Sequence, residues 1–190
     1  MTGNSLVFND INAFIKGGVD NDGRYIVQEM TITYRRAVPE HTAHCIAIRG
    51  KTRENAISVE QLVANGITLE SWSQDIRCGK LCGLVCLADQ VMVGYCFGDR
   101  LTGEIVVLAL LPDWEASGIG KRLLSGVIDI LQGDGFERLF LGCSSDPNCR
   151  SYGFYRHLGW RSTGKLDAAQ DELLEYFPRG GPAASLPDTR

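Results

Sequence analysis

A cationic surplus is the first thing this chain lacks: 19 Lys and Arg face 23 Asp and Glu, a formal net charge of −4 over 190 residues. That balance argues against a broad basic surface, so no nucleic-acid partner is expected. No apolar run approaches the roughly 18 residues of a membrane helix, so no membrane partner is expected either. The first residues show no basic segment followed by an apolar core, which argues against secretion. The seven cysteines are odd in number and contain no Cys-x-x-Cys pair, the spacing that most often announces metal or a redox site. Cys78, Cys82 and Cys86 fall four apart, which on a helix would line one face and suggest a metal. The segment around them, KLCGLVCLADQVMVGYCFGD, reads instead as two strands joined at 88–90, with Cys82 and Cys86 as small apolar strand residues. The expectation is reduced thiols in a cytoplasmic protein with no metal. There are no internal repeats.

What is present suffices for one globular core, since 44% of the residues are hydrophobic. Residues 1–29 are the least domain-like stretch and read as an N-terminal extension, native or from upstream of the natural start. Met30 opens the first convincing strand, MTITYRRAV. A helix follows from about His41 to Arg53. Ser58 with Gln61 three residues on has the form of a capping box for a second helix, and Thr68 restarts helix to about Arg77. Strands are predicted at 80–88 and 91–99, another from Glu104, and another at 138–143. Asp146 with Pro147 after it predicts a helix running through Leu158. Late strands are expected at 160–163 and 172–177, and 179–190 reads as a disordered tail. The domain is therefore set at 30–178, an α/β (α+β) arrangement with helices on both faces of a mixed sheet.

The most informative segment is LALLPDWEASGIGKRLL, 108–124. An apolar run from Ile105 to Leu111 is cut by Pro112, and a loop carries Gly118 and Gly120 into an amphipathic stretch. A strand, a tight turn and a helix start leave the first helical N–H groups unpaired, and such a start attracts anions such as phosphate. Alone, Gly-x-Gly at such a turn is more often plain loop geometry.

A second segment, NCRSYGFYRHLGW at 148–160, changes this. Together the two resemble the GNAT superfamily of acyl-CoA-dependent N-acetyltransferases. The first is similar to that family's Gln/Arg-x-x-Gly-x-Gly/Ala signature after an apolar strand. The second is similar to its Asn-x-x-Ala-x-x-Phe-Tyr-x-x-x-Gly-Phe pattern, with Ser151 and Trp160 as mild replacements. The resemblance covers roughly Thr31 to Phe177. It implies a GNAT-like fold with a central mixed, mostly antiparallel sheet of about six or seven strands. It further implies acetyl-CoA as co-substrate and transfer of acetyl to a primary amine. Leu108, Ala109 and Leu110 would hold the pantetheine arm in a gap beside the strand ending at Cys143. Ala116, Ser117, Gly118, Ile119, Gly120 and Lys121 would hold the pyrophosphate, and Asn148 would meet the cofactor near its thiol end.

Amine acetylation needs a base for the amine and an acid for the leaving thiolate. Tyr155 stands where the family usually keeps the acid; its other reading is a core aromatic packing with Phe154. Glu104 opens EIVVLAL and resembles the water-mediated base of one branch, or is an exposed turn carboxylate. Another branch's carboxylate, at the end of the following strand, is replaced here by Gly142 and Cys143. Glu115 stands where Gln or Arg is preferred. At ~8 Å and an effective dielectric of about 40 its repulsion of a pyrophosphate is on the order of 1 kcal/mol, which Lys121 and Arg122 are placed to offset. Ala116 replaces a frequent glycine, tolerable if its φ is negative. Trp72 and Trp114 either pack or line an acceptor pocket; His157, on the helix of Tyr155, is expected away from the site, and Arg150 at the surface or at the edge of the cofactor phosphates. The acceptor would be a small-molecule or peptide amine, favoured as a cation by the acidic balance, and family likeness implies a homodimer. A non-catalytic acyl-CoA-binding or regulatory domain of the same fold is the rival reading, and transfer of a longer acyl group is a third.

Overall fold

The computed structural model describes residues 12–19 and 24–178; the expectations for 1–11 and for the tail at 179–190 lie outside the described residues. Strands β1 (Asn12–Val19), β2 (Tyr25–Arg36), β3 (Leu81–Ala88), β4 (Val91–Asp99) and β5 (Ile105–Leu110) form one antiparallel sheet in sequence order. Strands β6 (Leu139–Cys143), β7 (Arg161–Leu166) and β8 (Glu172–Tyr176) form a second, ordered β6-β8-β7. Among the described residues the two sheets meet at a single parallel bridge, between Glu104 and Phe140. The mixed, mostly antiparallel sheet with helices on both faces is therefore present, with eight strands among the described residues rather than six or seven. The additional strand is β1, paired along its whole length with β2 from Asn12 opposite Ile32 to Val19 opposite Tyr25. Gly17 and Gly18 dilute its strand signal, and the bonds that hold it come from its neighbour's backbone. Pairing also starts β2 at Tyr25, upstream of Met30.

Helices cover the first sheet. On one face α4 (Ile119–Gly133) lays Leu123, Leu124, Val127 and Leu131, all at most 1% exposed, against Leu84, Cys86, Val93 and Cys96. That i, i+4, i+8 stripe gives the helix its apolar side. On the other face α1 (Thr42–Arg49) and α3 (Leu69–Arg77) bring Cys45, Ile48 and Trp72 onto Val85, Leu87, Tyr95 and Phe97. Trp72, Tyr95 and Phe97 meet edge to face with ring centroids 5.5 to 5.9 Å apart, so Trp72 packs in this core. With both faces covered, β3 and β4 are buried almost without interruption, which is why their sequences read as unbroken apolar runs. Cys82 and Cys86 lie within β3.

Local chemistry sets several boundaries. Ser58 and Gln61 form the reciprocal capping box at the start of α2 (Val59–Ala64), with Gln61 N–H to Ser58 Oγ at 3.2 Å and Ser58 N–H to Gln61 Oε1 at 2.9 Å. Asp89 and Gln90 both take positive φ, the two-residue hairpin that twists with its strands. The helix expected from Pro147 begins later, as α5 (Arg150–His157). Asp146 does not cap it: its carboxylate instead accepts the backbone N–H of Asn148 at 2.9 Å, closing a turn of its own.

A one-residue turn of backbone strain precedes α4. After the short 3-10 turn at Pro112–Trp114, Ala116 takes φ +57° and Gly118 φ +83° before Ile119 begins the helix. The negative φ that would make Ala116 neutral is not what the chain adopts. A left-handed alanine costs about 1–2 kcal/mol, and glycine there returns about 0.5–1 kcal/mol to the unfolded chain. Ala116→Gly is therefore expected to stabilise the protein by about 0.5–1 kcal/mol, a rise of about 1–4 °C in melting temperature by calorimetry. A melting temperature at or below that of the parent would contradict the strain.

Candidate active site

Strands β5 and β6 begin side by side and then part. Phe140 N–H donates to the Gly103 carbonyl at 3.3 Å next to the Glu104 bridge. Beyond that tie, β5 ends one sheet and β6 ends the other. Between them opens a cleft of about 440 Å3. Residues 105–110 line one wall, and Gly142, Cys143 and Ser144 the other. An edge strand beside such a gap presents main-chain N–H and C=O groups that lack a ladder partner.

At the far end of β5 the chain enters the start of α4. No side chain caps this helix, so its first N–H groups stay open, and Ala116, Gly118, Gly120 and Lys121 line the cleft. This is the geometry in which a helix start receives an anion. The Ile119 side chain, 3% exposed, packs in the core, and the Ser117 hydroxyl turns back to the Trp114 carbonyl, so the side chains of these two residues do not line the cleft. Trp114 is both buried and part of the cleft wall.

Helix α5 contributes Arg150, Ser151, Phe154 and Tyr155, spaced as one helical face. The Tyr155 ring packs edge to face on Phe154 at 5.1 Å and on Trp160 at 6.0 Å, so packing and cleft contact coexist in one side chain. Burial pushes its phenol well above the usual range, with smaller contributions from Cys96 and Cys143, and the hydroxyl stays protonated at neutral pH. His157, on the same helix, is exposed and outside the cleft.

The mouth of the cleft explains Glu115. Arg53 Nε donates to its Oε2 at 2.9 Å, and Arg150 Nη1 donates to the same oxygen. Two arginines remote in sequence thus hold Glu115, in addition to the Lys121 and Arg122 expected to offset it. Glu54, next to Arg53, accepts the Arg150 backbone N–H at 3.0 Å and so caps the first turn of α5 from 96 residues away.

Two further expected site residues stand apart from the cleft lining. Asn148 is exposed, and its side chain donates to Asp146 at 2.9 Å. Glu104 is half-buried at the closed end of the wedge, where burial, then Asp99 and Asp167, raise its carboxyl above the ordinary range. Conversely, Arg49, Arg53, Glu54 and Asp171 line the cleft without any local sequence signal. Asp171 reaches it from the turn between β7 and β8 and is likewise raised by burial and then by Asp167.

Residues 53–160, more than half of the chain, match the model of the acetyltransferase (GNAT) family. Among solved structures, the fold is similar to PaiA N-acetyltransferase from Thermoplasma acidophilum in complex with coenzyme A. That match has a TM-score of 0.66 at 20% identity and covers 78% of this chain and 99% of that one. It is also similar to yncA from Salmonella typhimurium with its cofactor acetyl-CoA, at TM-score 0.60 and 18% identity over 81% and 99% of the two chains. A third similar structure is the ribosomal-protein-S18-alanine N-acetyltransferase from Escherichia coli, at TM-score 0.58 and 14% identity over 82% and 98%. At these identities the likeness speaks for the fold. No curated protein sequence is a significant match. The family match spans the open wedge, the uncapped α4 start and the Tyr155 helix alike, and the chain belongs to the GNAT family of acetyltransferases.

Proposed function

We propose that this protein moves the acetyl group of acetyl-CoA to a primary amine by direct attack, in a single complex. The observation that carries the reading is the continuity of the cleft. It runs from the open N–H groups of α4, along the unpaired edge of β5, to Tyr155. The residues fit the co-substrate's chemistry. Amides of Gly118, Gly120 and Lys121 suit a pyrophosphate. Main-chain groups of Leu108, Ala109 and Leu110 suit the two amides of a pantetheine arm, as an added strand does.

In this reading Tyr155 supplies the proton for the leaving thiolate. A phenol held neutral by its apolar surroundings keeps that proton until charge develops on sulfur. The amine's proton goes to a carboxylate at the cleft; the family resemblance offers Glu104, which would act through water from the closed end of the wedge. The acceptor is a small-molecule or peptide amine, and the chain's negative balance favours a cation. A non-catalytic acyl-CoA-binding domain would be favoured by an uncompensated Glu115 beside the cofactor and by the lack of a carboxylate at Gly142 and Cys143; the first of these is met by the pairing of Glu115 with Arg53 and Arg150.

Incubation with acetyl-CoA and a panel of primary amines is expected to release free thiol in step with amide formation. Tyr155→Phe is expected to lower kcat by about 10²-fold or more while leaving acetyl-CoA affinity unchanged. Cofactor binding without turnover of any amine would overturn the enzymatic reading in favour of a binding domain. Glu115→Gln tests the mouth of the cleft: removing a carboxylate beside the anionic cofactor lowers repulsion by on the order of 1 kcal/mol, so calorimetry should show roughly fivefold tighter binding of coenzyme A. Weaker binding would mean that the carboxylate is needed to aim the arginines.

A further inference from the structure

Three carboxylates line the cleft among the described residues, and two of them are already committed. Glu115 holds Arg53 and Arg150, and Glu54 accepts the Arg150 backbone N–H. The third, Asp171, has a carboxylate with no hydrogen-bond or ion-pair partner among the described residues. Arg156, on the helix above, gives its guanidinium to Glu172 instead.

The backbone that carries Asp171 is closely held. Asp167 Oδ1 accepts the N–H of Ala169 at 2.8 Å and that of Asp171 at 2.9 Å, and Asp167 N–H donates to the Asp171 carbonyl at 2.8 Å. Asp167 is thereby the residue that builds the turn, and Asp171 the one it presents. The register of the second sheet, Cys143 opposite Glu172, sets residue 171 just past the end of β6. Gly142 makes room for it: a Cβ there would stand 2.8 Å from Asp167 Oδ2 and 3.5 Å from Asp171 Cβ. The space that a side chain on β6 would fill is taken by this acidic turn.

We propose that Asp171 is the general base of the reaction, supplied to the cleft by the β7–β8 turn. The proposal rests on the acetyl-transfer reading above. An incoming ammonium gives one proton to the Asp171 carboxylate. The freed nitrogen lone pair forms the C–N bond at the thioester carbonyl, the C–S bond breaks, and the thiolate takes the Tyr155 proton. The second nitrogen proton returns to the phenolate through solvent, and Asp171 passes its own to water. Ammonium and acetyl thioester thus yield amide, free thiol and one proton. Asp171 interacts with Asp167 of its own turn and with Cys143 of β6, and it lines the same cleft as Tyr155 of α5. Burial and the Asp167 charge both raise its carboxyl, which suits a proton acceptor working nearer neutrality.

Asp171→Asn separates this role from a structural one when two acceptors are compared, an alkylamine protonated at neutral pH and trifluoroethylamine, which is neutral there. The expected result is a loss of about 10²–10³-fold in kcat/KM for the alkylamine, with flattening of the limb along which the rate rises with pH. Acetyl-CoA affinity is unchanged, and the loss with trifluoroethylamine is under about tenfold because less proton removal precedes attack. Asp171→Glu keeps the carboxylate and should retain the limb at reduced kcat, which carries the test if the asparagine variant folds poorly. Equal losses with both amines, or an asparagine variant with the parent's rate and limb, overturn the proposal. Loss of the limb in Glu104→Gln alone overturns it in favour of Glu104. A parent protein that acetylates neither amine marks instead the failure of the acetyl-transfer reading, and the proposal falls with it.

Discussion

The separation of β5 from β6 is the constraint on which everything functional here depends. A parallel bridge at Glu104 and Phe140 joins the two antiparallel sheets, and from there the strands diverge. A strand edge left unpaired in the middle of a domain is ordinarily a liability, because each open N–H or C=O group seeks a partner. Here the liability is the binding surface. An extended ligand with its own amides can complete the ladder, and the fold holds that edge rigid by burying β3 and β4 on both faces beside it. The helix start that would receive the ligand's anionic end is fixed by the same core, through Ile119, Leu123 and Leu124.

Around that wedge, long-range polar contacts tie segments far apart in the chain. Glu115 joins residue 53 to residue 150, and Glu54 closes the first turn of α5. These pairs are partly exposed, so each adds little to stability by itself. Their consequence is positional: they set where two guanidiniums and the α5 start stand relative to the mouth of the cleft. Asp167 does the same at the opposite end, spending its carboxylate on backbone amides so that Asp171 is free.

Features written in local chemistry were legible in the sequence. Ser58 and Gln61 announce a helix start because a capping box needs only four consecutive residues. Residues 108–124 announce strand, turn and helix because periodicity changes at Pro112. Leu108, Ala109, Leu110, Ala116, Gly118, Gly120, Lys121 and Tyr155 do gather on one cleft. Legibility ended where pairing or register decides. Strand β1 is held by β2 rather than by its own pattern, and Asp146 makes a turn with the residue type that also caps helices. Asp171 enters the cleft through the register of β8 on β6, and Arg53 finds Glu115 across 62 residues. No window of sequence contains those facts.

The central claim is that the open edge of β5 receives an extended ligand while the start of α4 receives its anionic end. Amide hydrogen exchange with and without coenzyme A tests it directly. The account predicts slowed exchange on binding at amides of residues 107–110 that do not bond to β4, together with those of residues 118–121. Binding of coenzyme A that leaves exchange along β5 unchanged, or that protects only remote surface, would contradict it.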